Sequence, residues 1–184
     1  MVWKKSEIGV LLVSCMAFIL CSTVHASTYD HEITVQNMTL SWKVNGDDLH
    51  IKLTAPTTGW LGIGFNPSIG MKDAKFVLGY VKEGKINVSD EFGTGEIRHE
   101  SVEKFGGKSD ITCISGQEEG GETTIEFTIP LVSKDTKGGR IDPAAETTVL
   151  LAYGLDHDSS RLRHKFRTTI SVNLSTGMSN QLKQ

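Results

Sequence analysis

The sequence has little cysteine and no motif that would use it. Three cysteines occur in 184 residues, and two of them, Cys15 and Cys21, lie in an apolar segment near the N-terminus. Only Cys113 lies beyond that segment, so the rest of the chain can close no internal disulfide and depends on its hydrophobic core. The sequence also excludes covalent c-type haem attachment, which needs Cys-x-x-Cys-His, and iron-sulfur clusters, which need several thiolates. We expect Cys113 itself to be a small buried apolar residue.

The sequence also lacks an excess of positive charge. Lysine and arginine number 19 against 22 aspartates and glutamates, which gives a formal net charge of -3. Proteins that bind nucleic acids usually carry a strongly basic face. A nucleic-acid partner is therefore not expected.

The familiar catalytic motifs are missing too. Gly107-Lys108-Ser109 ends like a phosphate-binding loop, but the glycine required five residues before Gly107 is Val102. His99-Glu100 lacks the second histidine of a zinc-protease helix, and the Gly-x-Ser-x-Gly pattern is absent. The remaining carboxylates are scattered over predicted turns, where solvation accounts for them. The chain is therefore not expected to be an enzyme.

The chain has one long apolar run, at its N-terminus. Lys4 and Lys5 precede it, and Val24-His25-Ala26 resembles a signal-peptidase site. Residues 1–26 are predicted to be a secretory signal, so that residues 27–184 form an exported domain, periplasmic or extracellular, with no membrane span after cleavage. A transmembrane anchor and a lipoprotein attached at Cys15 remain as alternatives. Three N-glycosylation triplets begin at Asn37, Asn87 and Asn173, and such triplets are common by chance.

Beyond residue 30 the hydrophobic pattern alternates with a period of two. Residues 38–44 and 49–55 each place apolar side chains on one face, with a turn at Asn45-Gly46 between them, which predicts a β-hairpin. Seven further strand-like runs follow, separated by glycine-rich or polar turns. The only possible helical segment is residues 71–76, and the tail from Ser175 is expected to be frayed. Many short strands in one chain of this length predict an all-β, antiparallel sandwich forming a single domain.

One predicted strand, residues 60–65, has an unusual face. Side chains alternate along a strand, so Leu61, Ile63 and Phe65 share one face while Trp60, Gly62 and Gly64 share the other. Glycine weakens a strand and usually marks a place where something approaches the backbone closely. Either a ligand or a bulky side chain from a neighbouring strand could fill this space. We expect the other aromatic residues, Phe65, Phe76 and Phe127, to lie in the core.

The order of motifs resembles the DOMON domain family. The resemblance rests on GWLGIGFNPSIGM (59–71), GGKSDITCISGQEEGGETTIEFTIPL (106–131) and LLAYGLDHDSSRLRHKFR (150–167), and it spans roughly residues 31–174. The sequence departs from the family pattern at Ile129, where arginine is common, and at Lys75, where aspartate is common. The resemblance implies an immunoglobulin-like β-sandwich. Some members of the family hold a b-type haem between a methionine and a histidine, and others bind no haem.

Carried over to this chain, the resemblance implies Met71 and His164 as the iron ligands of a non-covalent haem b. Gly62 and Gly64 would then receive the porphyrin ring, with Trp60 at its border. The arginines of the motif at 150–167 would pair with the haem propionates and would also lower the proton affinity of His164; they are Arg161, Arg163 and Arg167. His157 is less suited to coordination, because Asp156 and Asp158 favour its protonated form.

Two hypotheses of function follow. The first is an exported b-type cytochrome domain that transfers single electrons to or from a partner redox protein, since two axial ligands leave no open position for a substrate. The second is a non-redox module that binds a carbohydrate or another small ligand, with Trp60 as a stacking platform.

Overall fold

The computed structural model describes residues 28–135 and 138–182, so the predicted signal segment lies outside the described residues. Twelve strands make up most of this part of the chain. They are β1 His31–Val35, β2 Met38–Asn45, β3 Asp48–Ala55, β4 Leu61–Phe65, β5 Lys75–Lys82, β6 Lys85–Gly95, β7 Arg98–Ser101, β8 Thr112–Glu119, β9 Glu122–Pro130, β10 Glu146–Gly154, β11 His164–Asn173 and β12 Ser179–Gln181.

The strands form two antiparallel sheets that pack face to face. The five-stranded sheet has the order β1-β2-β3-β9-β8, and the seven-stranded sheet has the order β12-β11-β10-β4-β5-β6-β7. The predicted all-β sandwich in a single domain is thereby confirmed. No helix in the described part of the chain is long and apolar enough to cross a membrane.

The core between the sheets is built by the alternating pattern of the strands. Fully buried side chains from both sheets meet there, among them Trp42, Phe65 and Phe127. The Trp42 indole N–H donates to the carbonyl of Leu174 at 2.8 Å, so its one polar atom is satisfied inside the core. Phe76 does not join this cluster: it is 5% exposed but lies on the outer face of the seven-stranded sheet. The expectation of a core position was therefore wrong for Phe76 and right for the other two phenylalanines.

The first hairpin has the predicted strands and a slightly shifted turn. Asn45 pairs with Asp48, so the two central residues are Gly46 and Asp47, one position later than expected. Gly46 has φ +62°, a conformation that suits glycine at the first central position of a tight hairpin turn.

Three other expectations need correction. Residues 71–76 form no helix; the helical segment of the described chain is a single 3-10 turn at Val102–Phe105. The tail is not wholly frayed, since Ser179–Gln181 pairs with β11. Cys113 is exposed rather than buried, because it lies on β8, an edge strand whose residues are nearly all exposed.

Candidate functional site

A cavity of about 470 Å³ lies on the outer face of the seven-stranded sheet. This volume is within the range of sites that hold small molecules and cofactors. Its floor is formed by outward-facing residues of β4, β5, β10 and β11. The walls are the loop between β4 and β5, the turn between β6 and β7, and the segment of residues 160–164.

Two large apolar side chains cover the glycines of β4. A Cβ on Gly62 would lie 2.4 Å from the Leu78 side chain, and a Cβ on Gly64 would lie 2.3 Å from the Phe76 ring. Both neighbours come from β5, which pairs with β4. Gly62, Phe76 and Leu78 all line the cavity, whereas Gly64 lies beneath Phe76. Side chains of the neighbouring strand thus fill the space above the glycines, and they, rather than the bare backbone, provide most of the floor there.

Trp60 lies across the floor beside these residues. Its indole packs on Gly154 of β10, where a Cβ would lie only 2.3 Å from Nε1, so a larger residue at position 154 would displace the ring. The residue is 6% exposed and borders the cavity. In the described part of the chain, Trp60 Nε1 is a buried polar atom without a hydrogen-bond partner. The predicted contact of Trp60 with a bound ring stays a prediction.

The backbone of Met71 is held firmly between two strands. Its N–H donates to the carbonyl of Glu96 at 2.9 Å, and its carbonyl accepts from the N–H of Ala74 at 3.3 Å. That carbonyl also lies so close to Gly93 of β6 that a Cβ there would be 1.7 Å away. Met71 is half-buried and lines the cavity on the side of β6. This loop can therefore reach the cavity only because residue 93 has no side chain.

His164 reaches the cavity because of a β-bulge. Tyr153 pairs with Phe166 and Gly154 pairs with His164, so Lys165 has no opposite residue on β10. The Tyr153 and Phe166 rings stack on the inner side of the sheet, with centroids 5.2 Å apart. In a regular strand His164 would share the face of Phe166, but the extra residue turns it to the cavity side. His164 is half-buried and lines the wall opposite Met71.

The surroundings of His164 favour a neutral imidazole. Burial lowers the pKa of His164, and the positive charges of Arg167 and Arg163 lower it further. A neutral imidazole nitrogen is the form that binds a metal ion. Arg161, Arg163 and Arg167 all line the cavity. The structure therefore brings together the two proposed ligands and all three arginines.

His157 is placed differently. It is exposed and is not among the residues that line the cavity. Its neighbour Asp156 accepts a hydrogen bond from the backbone N–H of Thr58 at 3.2 Å, which ties this loop to the segment before β4. Of the two histidines in the motif at 150–167, the cavity includes only His164.

One polar pair at the edge of the cavity was not predicted from the sequence. His99 of β7 lines the cavity and is hydrogen-bonded through Nδ1 to the carboxylate of Glu91 on β6. Burial would raise the pKa of Glu91, but the hydrogen bond and charge of His99, the hydroxyl of Ser89 and the charge of Arg161 outweigh it, so the pKa lies below its usual range. No sequence motif indicated this pair, because it depends on the register between two neighbouring strands.

The donor atoms of the site suit a metal that already has other ligands. The described residues contain no group of three or more histidine, cysteine, aspartate or glutamate residues that could hold a bare metal ion. They do contain a thioether and an imidazole on opposite walls of one cavity with an apolar floor. This combination fits iron held in a flat macrocycle, for which the protein supplies only axial ligands.

The family model of the DOMON domain matches residues 34–154. Among curated proteins, the chain is similar to DBH-like monooxygenase protein 1 of Homo sapiens, with 25% identity over 138 residues, or 72% of this chain and 21% of the relative. The protein of the same name from Mus musculus is 26% identical over 134 residues, covering 71% of this chain and 21% of the relative. The chain thus spans about a fifth of the length of these relatives.

Two solved structures have a similar fold. The cytochrome b domain of pyranose dehydrogenase from Coprinopsis cinerea matches with a TM-score of 0.57 and 13% identity, covering 78% of this chain and 76% of that one. The cytochrome domain of Myriococcum thermophilum cellobiose dehydrogenase matches with a TM-score of 0.51 and 16% identity, covering 65% and 62%. At these identities the likeness concerns the fold.

Proposed function

Because the chain belongs to the DOMON domain family, we propose that it is a haem-binding member: an exported b-type cytochrome domain that transfers single electrons to or from a partner redox protein. The observation that carries this proposal is the placement of Met71 and His164 on opposite walls of one cavity. The two structural neighbours, both cytochrome domains, support it.

In this proposal Met71 and His164 would hold the iron through the thioether and the imidazole. The low pKa of His164 keeps its imidazole free to coordinate. Phe76 and Leu78 offer an apolar surface for the ring, since both are 5% exposed and line the cavity floor. Arg161, Arg163 and Arg167 supply positive charge for the propionates.

A haem with two protein ligands exchanges electrons without binding a substrate at the iron. Neither a thioether nor a neutral imidazole brings negative charge, and this ligand pair favours a higher reduction potential than thiolate or phenolate ligation. The chain's own contribution is to position both ligands and to exclude water with the apolar floor. We therefore propose a role in electron transfer rather than in catalysis, and the partner supplies or accepts the electron.

The proposal is tested by the absorption spectrum of residues 27–184 expressed with added haem precursor, or reconstituted with hemin. We expect a sharp Soret band and, on reduction, resolved α and β bands typical of a six-coordinate low-spin haem. Protein that purifies colourless and does not shift the hemin spectrum when titrated with it would contradict the proposal.

The second candidate, a carbohydrate-binding module, has less support from the structure. A stacking platform needs an exposed aromatic face, but Trp60 is only 6% exposed and packs against Gly154. Calorimetry of the hemin-free protein with a panel of sugars, followed by the Trp60→Ala variant, tests this candidate independently of haem.

A further inference from the structure

His99, which lines the cavity, forms a histidine–carboxylate pair with Glu91 of β6. The side chains are 21% and 13% exposed, and the hydroxyl of Ser89 also donates to Glu91, at 2.9 Å. Towards both neighbours Glu91 presents carboxylate oxygens, which accept hydrogen bonds. Nδ1 of His99 is therefore the donor of the pair, and the imidazole is fixed in one orientation.

This arrangement leaves the other ring nitrogen of His99 available. When Nδ1 carries the proton of a neutral imidazole, Nε2 has a free lone pair. In the described chain, Nε2 has no hydrogen-bond partner and is not among the buried unpaired atoms. The ring packs against Phe76 with centroids 5.5 Å apart, and both residues line the cavity. A carboxylate that orients a histidine through Nδ1 is a common support for a metal ligand.

His99 belongs to the same wall as Met71. Its strand partner is Gly93, and the carbonyl of Met71 packs directly on Gly93. The N–H of Met71 is bound to Glu96, in the turn that leads into β7. His164 lies at the other side of the cavity, on β11, beyond β5, β4 and β10. Among the described residues that line the cavity, the imidazole of His164 thus lies on the β11 side, and the thioether of Met71 and the imidazole of His99 lie on the β6–β7 side.

We propose that His99 is a second iron ligand on the wall of Met71, able to take the axial position opposite His164 when the thioether of Met71 is absent or withdrawn. This inference rests on the proposed haem function and adds a residue to its ligand set. Imidazole is a good ligand for iron. Since the identity of an axial ligand tunes the reduction potential of haem, exchange between Met71 and His99 changes the potential of the domain.

The experiment compares hemin-reconstituted wild type with three variants. They are Met71→Leu, Met71→Leu/His99→Gln and the matched control Met71→Leu/His157→Gln, which removes an exposed histidine outside the cavity. We expect Met71→Leu and the control to remain low-spin and six-coordinate with two imidazole ligands, by absorption and electron paramagnetic resonance. We expect Met71→Leu/His99→Gln to become high-spin and to bind carbon monoxide on reduction at least tenfold faster than Met71→Leu.

A second readout needs no haem. In ¹⁵N NMR of the hemin-free protein, His99 should carry its proton on Nδ1, and Glu91→Gln should weaken that preference. A His99 protonated on Nε2 in the wild type would overturn the inference, as would identical high-spin spectra for Met71→Leu and Met71→Leu/His99→Gln. Wild-type protein that binds no hemin would overturn the proposed function and this inference together.

Discussion

Lys75 offers a quantitative test of how the site is supported. Its ammonium donates to both carboxylate oxygens of Asp90 at 3.0 Å and to Asp110 at 2.8 Å. All three side chains are buried, with exposures of 4%, 1% and 7%. Asp110 also accepts from the hydroxyl of Ser133 at 2.7 Å, in the loop after β9. The cluster therefore joins β5 and β6, directly after the Met71 loop, to two loops of the other sheet.

Lys75→Met retains an aliphatic chain of similar length but removes the ammonium group, so two buried carboxylates lose their cation. Removing one partner of a buried ion pair costs about 3–5 kcal/mol. Burial raises the pKa of Asp90 to about 6, even with Lys75 beside it. A pKa that is higher in the folded state than in the unfolded chain contributes stability at low pH, which is lost as the pH rises through about 6. The deficit of the variant should therefore be largest at neutral pH and smaller at pH 5.

Urea unfolding at pH 7 and pH 5 measures the loss of unfolding free energy and its dependence on pH. Thermal unfolding at pH 7 measures the change in melting temperature. For a domain of this size each kcal/mol corresponds to about 2–4 °C, so the melting temperature at pH 7 should fall by about 6–20 °C. Lys82→Met, at the exposed end of the same strand, is the control and should change the free energy of unfolding by no more than about 0.5 kcal/mol. A loss below about 1 kcal/mol for Lys75→Met, or a deficit that grows on acidification, would refute the reasoning.

Two further predictions concern the ligands. In hemin-reconstituted protein, His164→Gln should abolish the low-spin spectrum, because among the described residues no other histidine lines that wall of the cavity. His157→Gln should leave the spectrum unchanged, and the reverse result would mean that the histidine is wrongly assigned. Gly93→Ala should destabilise the domain by about 1–3 kcal/mol in urea and weaken hemin binding, because its Cβ would lie 1.7 Å from the Met71 carbonyl. Gly95→Ala, whose Cβ meets nothing nearer than 4.0 Å, should be close to neutral, and equal effects of the two substitutions would contradict this account.

The parts of the fold that the sequence predicted are those with a strong alternating pattern. The hairpin of β2 and β3 was recognised because apolar residues alternate with polar ones along both strands and a glycine marks its turn. The strands that escaped notice, β1, β7 and β12, are short and have few buried residues, so their pairing depends on the neighbouring strand rather than on their own pattern. The error at Phe76 has a related cause: alternation separates two faces of a strand, but it does not tell which large residue covers a glycine on the next strand.

The candidate site was also only partly predictable, because it depends on how neighbouring strands pair. The resemblance to a family suggested Met71 and His164, but alternation alone would place His164 on the face of Phe166, because the two are separated by one residue. The bulge at Lys165 turns His164 to the opposite face, and no local feature of the sequence predicts this bulge. His99 was hidden for a similar reason, since it meets Glu91 only through the pairing of β6 and β7, which contains an irregularity of its own between Gly93 and Gly95. Both histidines of the proposed site thus reach the cavity through strand register, a property of paired strands that a single sequence does not contain.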